Sequence, residues 1–398
     1  MSKVLGNDTH WWTIFVLFLK LGLTSFGGPI AHLGYFHNEF VLRRRWLSEH
    51  NYADLVALCQ FLPGPSSSQV GIALGLSRAG YAGALAAWVG FTLPSAAALI
   101  LFALGISSYG NIVSPGVLHG LKVAAVAVVA QAVWGMARNL CQGVPRKSIM
   151  VVCACLALVS PNAWGQIGAI VLAGLVGMVL FKPAQCLAHE PLPIPVSRRT
   201  GSLWLSLFLV LLIGLPILAH EIPNQMVVMI DAFYRVGSLV FGGGHVVLPL
   251  LRAEVVPPGW VSNDVFLAGY GATQALPGPL FTFAAFLGAS MTSSPTGWFG
   301  GIVALLAIFT PSFLLITGVL PFWENLRHNL RTQAALAGVN AAVVGLLLAA
   351  FYDPVWTSGI QRPQDFGLAL VAVTALMFWK LPPWLVVIGC GLMGWLIR

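Results

Sequence analysis

The chain contains one stretch of sequence twice, and this duplication constrains its fold more than any other feature. The first copy runs from Lys20 to a Leu-Pro-Gly-Pro turn at 62–65, and the second runs from Arg235 to the same turn at 276–279. Both copies carry a Phe-Gly-Gly triplet shortly after the basic residue and a glutamate farther on. Further matches extend the repeat to roughly two hundred residues. The chain is therefore expected to consist of two homologous helical units.

The composition places both units in a lipid bilayer. Hydrophobic residues make up 58% of the chain and charged residues 8%, whereas a soluble globular domain has roughly 25% charged residues. Long apolar runs bounded by glycine, proline and charges predict an all-α polytopic membrane protein. The net charge of +8 falls mostly between the apolar runs, where basic residues orient helices, so no nucleic-acid partner is expected. The six cysteines lack metal-ligand spacing, and no cofactor is implied.

Glycine and proline interrupt several apolar runs. The breaks at 26–29 and 62–65, and their counterparts at 241–244 and 276–279, predict helices broken inside the membrane. If each broken segment crosses once, the chain has about 13 spans, in the order six, one, six. An even number of crossings followed by one extra helix places the second unit upside down. The sequence thus predicts an inverted repeat, as in many secondary transporters.

The predicted units are residues 1–181, a linker with the extra helix at 182–225, and the inverted second unit at 226–398. With a cytoplasmic N-terminus, most Lys and Arg residues fall in cytoplasmic loops, as the positive-inside rule requires. The counted crossings put Arg362, Arg398 and the arginine triplet at 43–45 outside, and the triplet is the exception that needs a reason. Either the triplet attracts anions to a mouth of the protein, or the number of crossings is wrong in the broken region.

Lys20 and Arg235 lie inside apolar segments at equivalent positions. A charge in the middle of a bilayer costs on the order of 3 kcal/mol, which implies a partner or a function. Either each residue pairs with a carboxylate such as Glu39, Glu254 or Asp231, or both face a central anion site. Glu39 and Glu254 are also candidates for proton coupling, with ion pairs to nearby arginines as the alternative.

The helix breaks predict the rest of the site. A helix that restarts after a proline turn exposes free backbone N–H groups and about half a positive charge, which suits an oxyanion. Helix capping is the alternative role for the polar residues there. The predicted substrate-binding residues are the glycines of the breaks, their polar neighbours and three basic residues: Lys20, Gly27, Gly28, Gln60, Gly64, Ser66, Ser67, Lys122, Arg235, Gly242, Gly243, Gln274 and Gly278. The nearby histidines lack the spacing of a metal cluster, so no metal site is expected.

These motifs resemble those of the chromate ion transporter family in its long, two-domain form. The resemblance rests on GLTSFGGP at 22–29, on Trp46-Leu47-Ser48, on QFLPGP at 60–65 and on the second-half counterparts of the breaks. It implies a bacterial inner-membrane protein, not an enzyme, that exports chromate and confers chromate resistance, with sulfate as the physiological look-alike. Gly244 stands where the first copy has Pro29, so the two halves of the site are expected to differ.

The residues alone indicate only a secondary transporter for a small oxyanion. Proton-coupled uptake of sulfate or another oxyanion is the alternative within transport. An intramembrane enzyme and a purely structural membrane subunit are the alternatives outside it. Small residues at 174–177 and 391–394 predict packing surfaces, either within the chain or between the protomers of a homodimer.

Overall fold

The computed structural model describes residues 10–26, 28–109, 115–160, 163–181, 196–222, 224–241, 244–323, 326 and 329–397. Every regular element in these ranges is a helix, as the apolar runs predict. Three of the predicted site residues, Gly27, Gly242 and Gly243, lie outside the described residues.

The helices of the first copy begin and end close to the predicted breaks. They are α1 Trp11–Thr24, α2 Gly28–Phe36 with a π-helical continuation His37–Arg43, α3 Glu49–Phe61, α4 Ser66–Tyr109, α5 Pro115–Leu140, α6 Val144–Val159 and α7 Ala163–Leu180. The Ser48 side chain caps α3 by accepting a hydrogen bond from the Asn51 N–H. Ala79 and Gly80 leave helical dihedral angles inside α4. This helix therefore has a first arm at 66–78 and a second arm at 81–109.

The extra helix and the second copy follow the same order. They comprise α8 Arg198–Glu221, α9 Gln225–Leu239, α10 Val247–Val255, α11 Asn263–Ala275, α12 Phe283–Ala289, α13 Gly297–Val319, α14 Leu330–Ala350, α15 Pro363–Met377 and α16 Pro383–Ile397. A 3₁₀ turn, Leu280–Thr282, leads into α12. The Ser262 side chain caps α11 by accepting from the Val265 N–H, as Ser48 caps α3. The duplicated sequence therefore produces duplicated helix starts.

At its breaks, the first copy folds back on itself. The Phe18 ring of α1 lies 5.5 Å from Phe36 and 5.1 Å from Phe40 between ring centroids, so α2 and its continuation return along α1. The Arg78 guanidinium, at the end of the first arm of α4, lies 4.9 Å from the ring centroid of Trp46, which precedes α3. We call α1 with α2 hairpin 1, and α3 with the first arm of α4 hairpin 2.

The second copy folds back in the same way. An ion pair of 3.2 Å joins Arg235 of α9 to Glu254 of α10. Thr292 follows α12, and Trp260 precedes α11. The Thr292 N–H donates to the Trp260 carbonyl at 3.0 Å. We call α9 with α10 hairpin 3, and α11 with α12 hairpin 4. Each hairpin enters and leaves the bundle at the same end.

Five helices in the described ranges are long and apolar enough to cross a membrane. They lie within Ser66–Ser107, Gly116–Leu140, Arg198–Glu221, Gly297–Phe322 and Leu330–Gly359. The predicted total of about 13 crossings is not confirmed. In the sequence, a hairpin of two half-length helices has the same apolar composition as one crossing helix. Hydropathy carries no information on whether the chain continues or reverses at a break.

The second arm of α4 and α13, which are equivalent in the two copies, pack antiparallel. Trp88 lies 5.5 Å from both Phe309 and Phe313 between ring centroids. Toward the other end of this contact, a Cβ atom added at Gly297 would lie 3.7 Å from Leu104. The start of one helix therefore lies beside the end of the other.

These contacts define two ends of the bundle. The first end holds Arg78, and the Trp323 indole N–H donates there to the Asp54 carboxylate of α3 at 3.2 Å. The second end holds Trp260 and Thr292, where α13 begins. Hairpins 1 and 2 enter from the first end, and hairpins 3 and 4 enter from the second. The long helices connect the two ends.

Two further helix pairs pack on the opposite copy. α6 and α7 lie against α14, where Gly338 closely approaches Gly177. α15 and α16 lie against α5, where Gly120 closely approaches Gly394. The small-residue stretches predicted as packing surfaces therefore pack within the chain.

Candidate functional site

The hairpin tips meet inside the bundle and exchange backbone hydrogen bonds between the copies. The Gly64 N–H, at the tip of hairpin 2, donates to the Val240 carbonyl of hairpin 3 at 2.7 Å. The Gly278 N–H, at the tip of hairpin 4, donates to the Ser25 carbonyl of hairpin 1 at 3.0 Å. The two bonds are equivalent under the sequence repeat, so each Leu-Pro-Gly-Pro turn is anchored on the break of the other copy. We call the surroundings of these two bonds the crossing point.

Both tips require glycine. Gly64 has a φ of +118° and Gly278 a φ of +101°, values that residues with a side chain rarely adopt. A Cβ atom on Gly64 would lie 2.7 Å from the Ser312 Oγ of α13. A Cβ atom on Gly278 would lie 2.9 Å from the Ser95 Oγ of α4. Each turn therefore packs directly against a long helix of the opposite copy.

Four hydroxyl groups at the crossing point are buried. They belong to Ser25, Ser68, Thr92 and Ser312, which are between 0% and 2% exposed. None of the four hydroxyl groups has a hydrogen-bond partner among the described residues. Leaving a buried polar group unpaired costs about 1–3 kcal/mol, so such groups normally have a partner. Hydroxyl groups donate hydrogen bonds without carrying charge, which suits the oxygen atoms of an anion.

The N-terminus of α4 also lies at the crossing point. α4 begins at Ser66, directly after the proline turn, and the first backbone N–H groups of a helix have no acceptor within it. Ser66 and Ser67 are 9% and 1% exposed, and the Ser67 Oγ lies 3.4 Å from the Nδ1 of His32. The helix end adds about half a positive charge to the neutral donors around it. The arrangement can bind an oxyanion without a full positive charge in contact with it.

The two basic residues predicted at the centre lie in different surroundings. The Lys20 side chain on α1 is exposed. The Arg235 side chain is 12% exposed and binds Asp231 at 2.9 Å and Glu254 at 3.2 Å. The sequence contains the reason for this difference, because Val16 stands in the first copy where the second has Asp231. Arg235 is therefore paired with two carboxylates.

The candidates for proton coupling and the third basic residue are also in ion pairs. Glu39 binds Arg44 at 2.6 Å and Arg43 at 3.1 Å, while Glu254 binds Arg235 as described. Lys122 forms an ion pair of 2.5 Å with Asp264 at the start of α11. This pair lies at the second end, so Lys122 is not at the crossing point.

The remaining predicted residues lie at the margin of the crossing point. Gln60 is exposed, whereas Gln274 is 9% exposed. Gly28 has a φ of +78°, and a Cβ atom added to it would lie 3.9 Å from the Nε2 of His245. The Nδ1 of His245 lies 3.0 Å from the Tyr270 hydroxyl. These groups form a polar margin beside the tips of hairpins 1 and 3.

Sequence reasoning did not assign Ser25, Thr92, Ser95 or Ser312 to the site. They are neutral residues within or next to apolar helices, where hydroxyl groups commonly bond to their own helix backbone. One signal was present, because Ser95 and Ser312 each follow a proline at equivalent places in the two copies.

The fold and the crossing point define the class of protein. Half-length helices enter a helical membrane bundle from both ends, meet inside it and present neutral donors to one place. Secondary transporters use such helix ends to bind their substrates near the middle of the membrane.

Sequence comparison identifies the family within this class. The family model described as chromate transporter matches residues 12–178 and 227–395, one match in each copy, so the chain belongs to this family. A chromate transport protein of Pseudomonas aeruginosa is 29% identical over 396 residues, covering 96% of this chain and 92% of the relative. A chromate transport protein of Cupriavidus metallidurans is 26% identical over 391 residues, with coverages of 95% and 90%.

A shorter relative matches one part of the chain. This protein of Bacillus subtilis, described as an uncharacterized transporter, is 32% identical over 168 residues, which is 40% of this chain and 81% of the relative. No solved structure matches the chain.

Proposed function

We propose that the chain is a secondary transporter that exports chromate, or a similar tetrahedral oxyanion such as sulfate, from the bacterial cytoplasm. The observation that carries the proposal is the crossing point, where a helix N-terminus and four buried hydroxyl groups surround the hairpin tips. The relatives described as chromate transport proteins support chromate as the substrate. Binding at the crossing point places the anion between the two copies.

Neutral hydrogen-bond donors suit a transported anion because the anion must also leave its binding site. A site for transport has to bind strongly enough to admit the ion and weakly enough to release it. In this proposal the hydroxyl groups and the N–H groups of α4 contact the oxyanion. Lys20 supplies positive charge near the tip of hairpin 1, and Arg235 stabilises hairpin 3 through its two carboxylates.

We infer that the two copies are inverted and that the first end faces the cytoplasm. The antiparallel packing of the second arm of α4 on α13 supports the inversion. The distribution of basic residues supports the orientation. The first end holds Arg43, Arg44, Arg45, Arg78, Arg138, Arg146, Lys147, Arg198, Arg199 and Arg331, whereas the basic residues described at the second end are Lys122, Arg252 and Arg362.

In this arrangement the arginine triplet at 43–45 is no longer an exception to the positive-inside rule. Hairpin 1 returns to the end at which it enters, so the arginine triplet at 43–45 lies with the other basic residues of the first end. A full crossing through 11–43 would have put the triplet on the opposite side. The positive-inside rule therefore favours the hairpin over the crossing.

The membrane potential favours export of a dianion. An inside-negative potential contributes about 2.3 kcal/mol per elementary charge per 100 mV, so two negative charges gain about 4.6 kcal/mol on leaving. Export can therefore proceed without a coupled ion. Uptake of the same anion against this potential would require co-transport of about three or more protons.

Flux measurements in proteoliposomes that contain only this chain test the proposal. Chromate loaded into the vesicles should leave faster when the interior is made negative, and sulfate should compete with it. A variant carrying Ser25→Ala and Ser312→Ala removes two hydroxyl groups from the crossing point and should lose most of the flux. Chromate efflux no faster than from protein-free vesicles would contradict the proposed function.

A further inference from the structure

A second polar cluster lies at the second end, apart from the crossing point. Lys122 of α5, in the first copy, forms an ion pair of 2.5 Å with Asp264 of α11, in the second copy. The lysine side chain is 10% exposed, whereas the aspartate side chain is 75% exposed. A nearly buried cation thus pairs with a carboxylate that remains mostly in contact with solvent.

The pair lines a cavity of about 160 Å³. Ala268 and Leu118 contribute apolar wall, and His119 lies beside Lys122. The His119 Nε2 lies 2.9 Å from an oxygen of Asp365, and both side chains are less than a tenth exposed. The cavity is therefore bounded by a lysine of one copy and a mostly exposed carboxylate of the other.

Asp365 is fixed in place by more than the histidine. Its carboxylate also accepts hydrogen bonds from the backbone N–H groups of Gln361 at 3.1 Å and Arg362 at 2.9 Å, at the start of α15. Asp264 has no such set of backbone donors among its described contacts. Of the two carboxylates beside the cavity, Asp264 is therefore the one that can move away.

The position of Asp264 connects the cavity to the crossing point. Asp264 lies in the first turn of α11, the helix of hairpin 4 that leads to the tip at Gly278. Its neighbour Asn263 accepts a hydrogen bond from the Arg252 side chain at 3.3 Å and donates to Ser358 at 3.0 Å. Separating Lys122 from Asp264 would release one side of hairpin 4 while these contacts hold the other.

Hairpin 2, the equivalent of hairpin 4, lies at the first end and makes a different contact with the opposite copy. Asn340 stands in the second copy at the position of Lys122. Hairpin 2 is joined to the second copy by the hydrogen bond from Trp323 to Asp54, a carboxylate that is 6% exposed. Of these two contacts between the copies, the one that reaches solvent is the Lys122–Asp264 pair at the second end, which is the exit in the proposed function.

We propose that the Lys122–Asp264 pair is an anion-exchange latch, in which a divalent oxyanion entering the cavity displaces Asp264 and binds Lys122. The inference rests on the proposed function for its direction, because the same cavity would be the exit of the export path. Asp264 is already largely hydrated, so its release costs little desolvation, whereas nearly buried Lys122 requires an anionic partner. The freed α11 then allows hairpin 4 to move, which links release of the anion to opening of the second end.

Thiol labelling of the cavity wall tests the latch independently of transport. Ala268→Cys, in a full chain without its native cysteines, places the only thiol against the cavity. The chain is held in lipid nanodiscs and treated with a membrane-impermeant maleimide. Sulfate is the probe anion, because it does not oxidise thiols as chromate does.

Added to this background, Asp264→Asn should raise the labelling rate roughly five-fold, the order of strength of a partly exposed ion pair. Sulfate should then slow the labelling, because Lys122 is available to bind it. Lys122→Gln should also raise the labelling rate, but sulfate should have no effect on it. Lys122→Arg retains the charge and should retain the protection by sulfate. Asp54→Asn, at the other end, is the matched control and should not raise the rate.

Three results would overturn the proposal: labelling of the Asp264→Asn variant at the unmodified rate, no protection of that variant by sulfate, or equal protection by sulfate in the Asp264→Asn and Lys122→Gln variants. If Lys122→Gln fails to elute as a monodisperse protein, the labelling rates of Asp264→Asn with and without sulfate still test the latch. Absence of protection by sulfate in that variant overturns it. Protection by sulfate without any anion flux would support the latch and refute the proposed export. Anion flux without protection of the thiol by sulfate would support the proposed export and refute the latch.

Discussion

Arg235 stabilises hairpin 3 because it is the shared partner of Asp231 and Glu254. Arg235→Gln would leave two carboxylates with little exposure and without that cation. Removing one partner from a buried ion pair costs about 3–5 kcal/mol. The variant should therefore unfold at a lower temperature in a thermal scan of the purified protein. Adding Asp231→Asn and Glu254→Gln should restore most of the stability, and an unchanged unfolding temperature in Arg235→Gln alone would show that the triad does not stabilise the hairpin.

Lys20 provides the contrasting case at an equivalent position. Its side chain is exposed, so Lys20→Gln should leave the unfolding temperature close to that of the unmodified chain. Chromate flux should nevertheless fall, because the charge near the tip of hairpin 1 is lost, and Lys20→Arg should be milder because it keeps that charge. Full flux in Lys20→Gln at equal expression would limit the lysine to orienting the chain in the membrane.

The different surroundings of these two residues show what the sequence could and could not predict at this scale. The alignment of the copies revealed that Lys20 and Arg235 are equivalent. It also contained the substitution of Val16 for Asp231, but the ion pair with Glu254 depends on the return of α10 along α9. A residue's partner in a reversed chain cannot be read from the sequence until the reversal is known.

Among the elements, the two proline turns set the shape of the crossing point. Gly64→Ala and Gly278→Ala should each reduce chromate flux severely. In both, the new Cβ atom would lie within 3.0 Å of a serine Oγ on the opposite copy, and the residue would have to keep a positive φ. The measurement is flux per molecule of protein inserted in the membrane.

Gly80→Ala is the matched control for these turns. Gly80 also has a positive φ, +61°, but a Cβ atom added there would meet nothing within 4 Å. The control should therefore carry a backbone penalty of about 1–3 kcal/mol without disturbing the contact between the copies. If Gly80→Ala reduced flux as much as Gly64→Ala, backbone strain alone would explain the effect, and the contact with Ser312 would be irrelevant.

The breaks themselves were predictable, and their geometry was not. Glycine and proline mark the helix ends near 26 and 64 because they disfavour a continuous helix. The direction taken after each break is fixed by contacts between distant residues, such as the hydrogen bond from Gly64 to Val240. Local sequence carries no record of that partner. The arginine triplet at 43–45 was the one indication that the chain reverses.

At the scale of the whole molecule, five helices in the described part of the chain are long enough to connect the two faces. The duplication and the helical membrane class follow from the sequence, because repetition and apolar length are properties of the chain itself. The packing of α6 and α7 on α14, and of α15 and α16 on α5, joins each copy to the other. These cross-contacts imply that neither copy of this chain buries its small-residue surfaces when separated from its counterpart.

The orientation of the whole molecule can be tested at two loops that the proposed inversion places on opposite faces. Ser48, before α3, and Thr292, after α12, are both exposed. With the first end in the cytoplasm, Ser48→Cys should react with an impermeant thiol reagent only from the cytoplasmic side, and Thr292→Cys only from the periplasmic side. Each is introduced singly into a chain without native cysteines, and Arg146→Cys serves as a second cytoplasmic marker.

Ser48 distinguishes a hairpin from a crossing. If the segment 11–43 crossed the membrane once, Ser48→Cys would be labelled from the periplasm while Arg146→Cys remained cytoplasmic. Hairpin 1 instead returns the chain to its side of entry, as the contacts of Phe18 with Phe36 and Phe40 require. Labelling of Ser48→Cys from the periplasm alone would therefore contradict hairpin 1. Labelling of both Ser48→Cys and Thr292→Cys from the same side would contradict the inversion, because the two loops would then share one face.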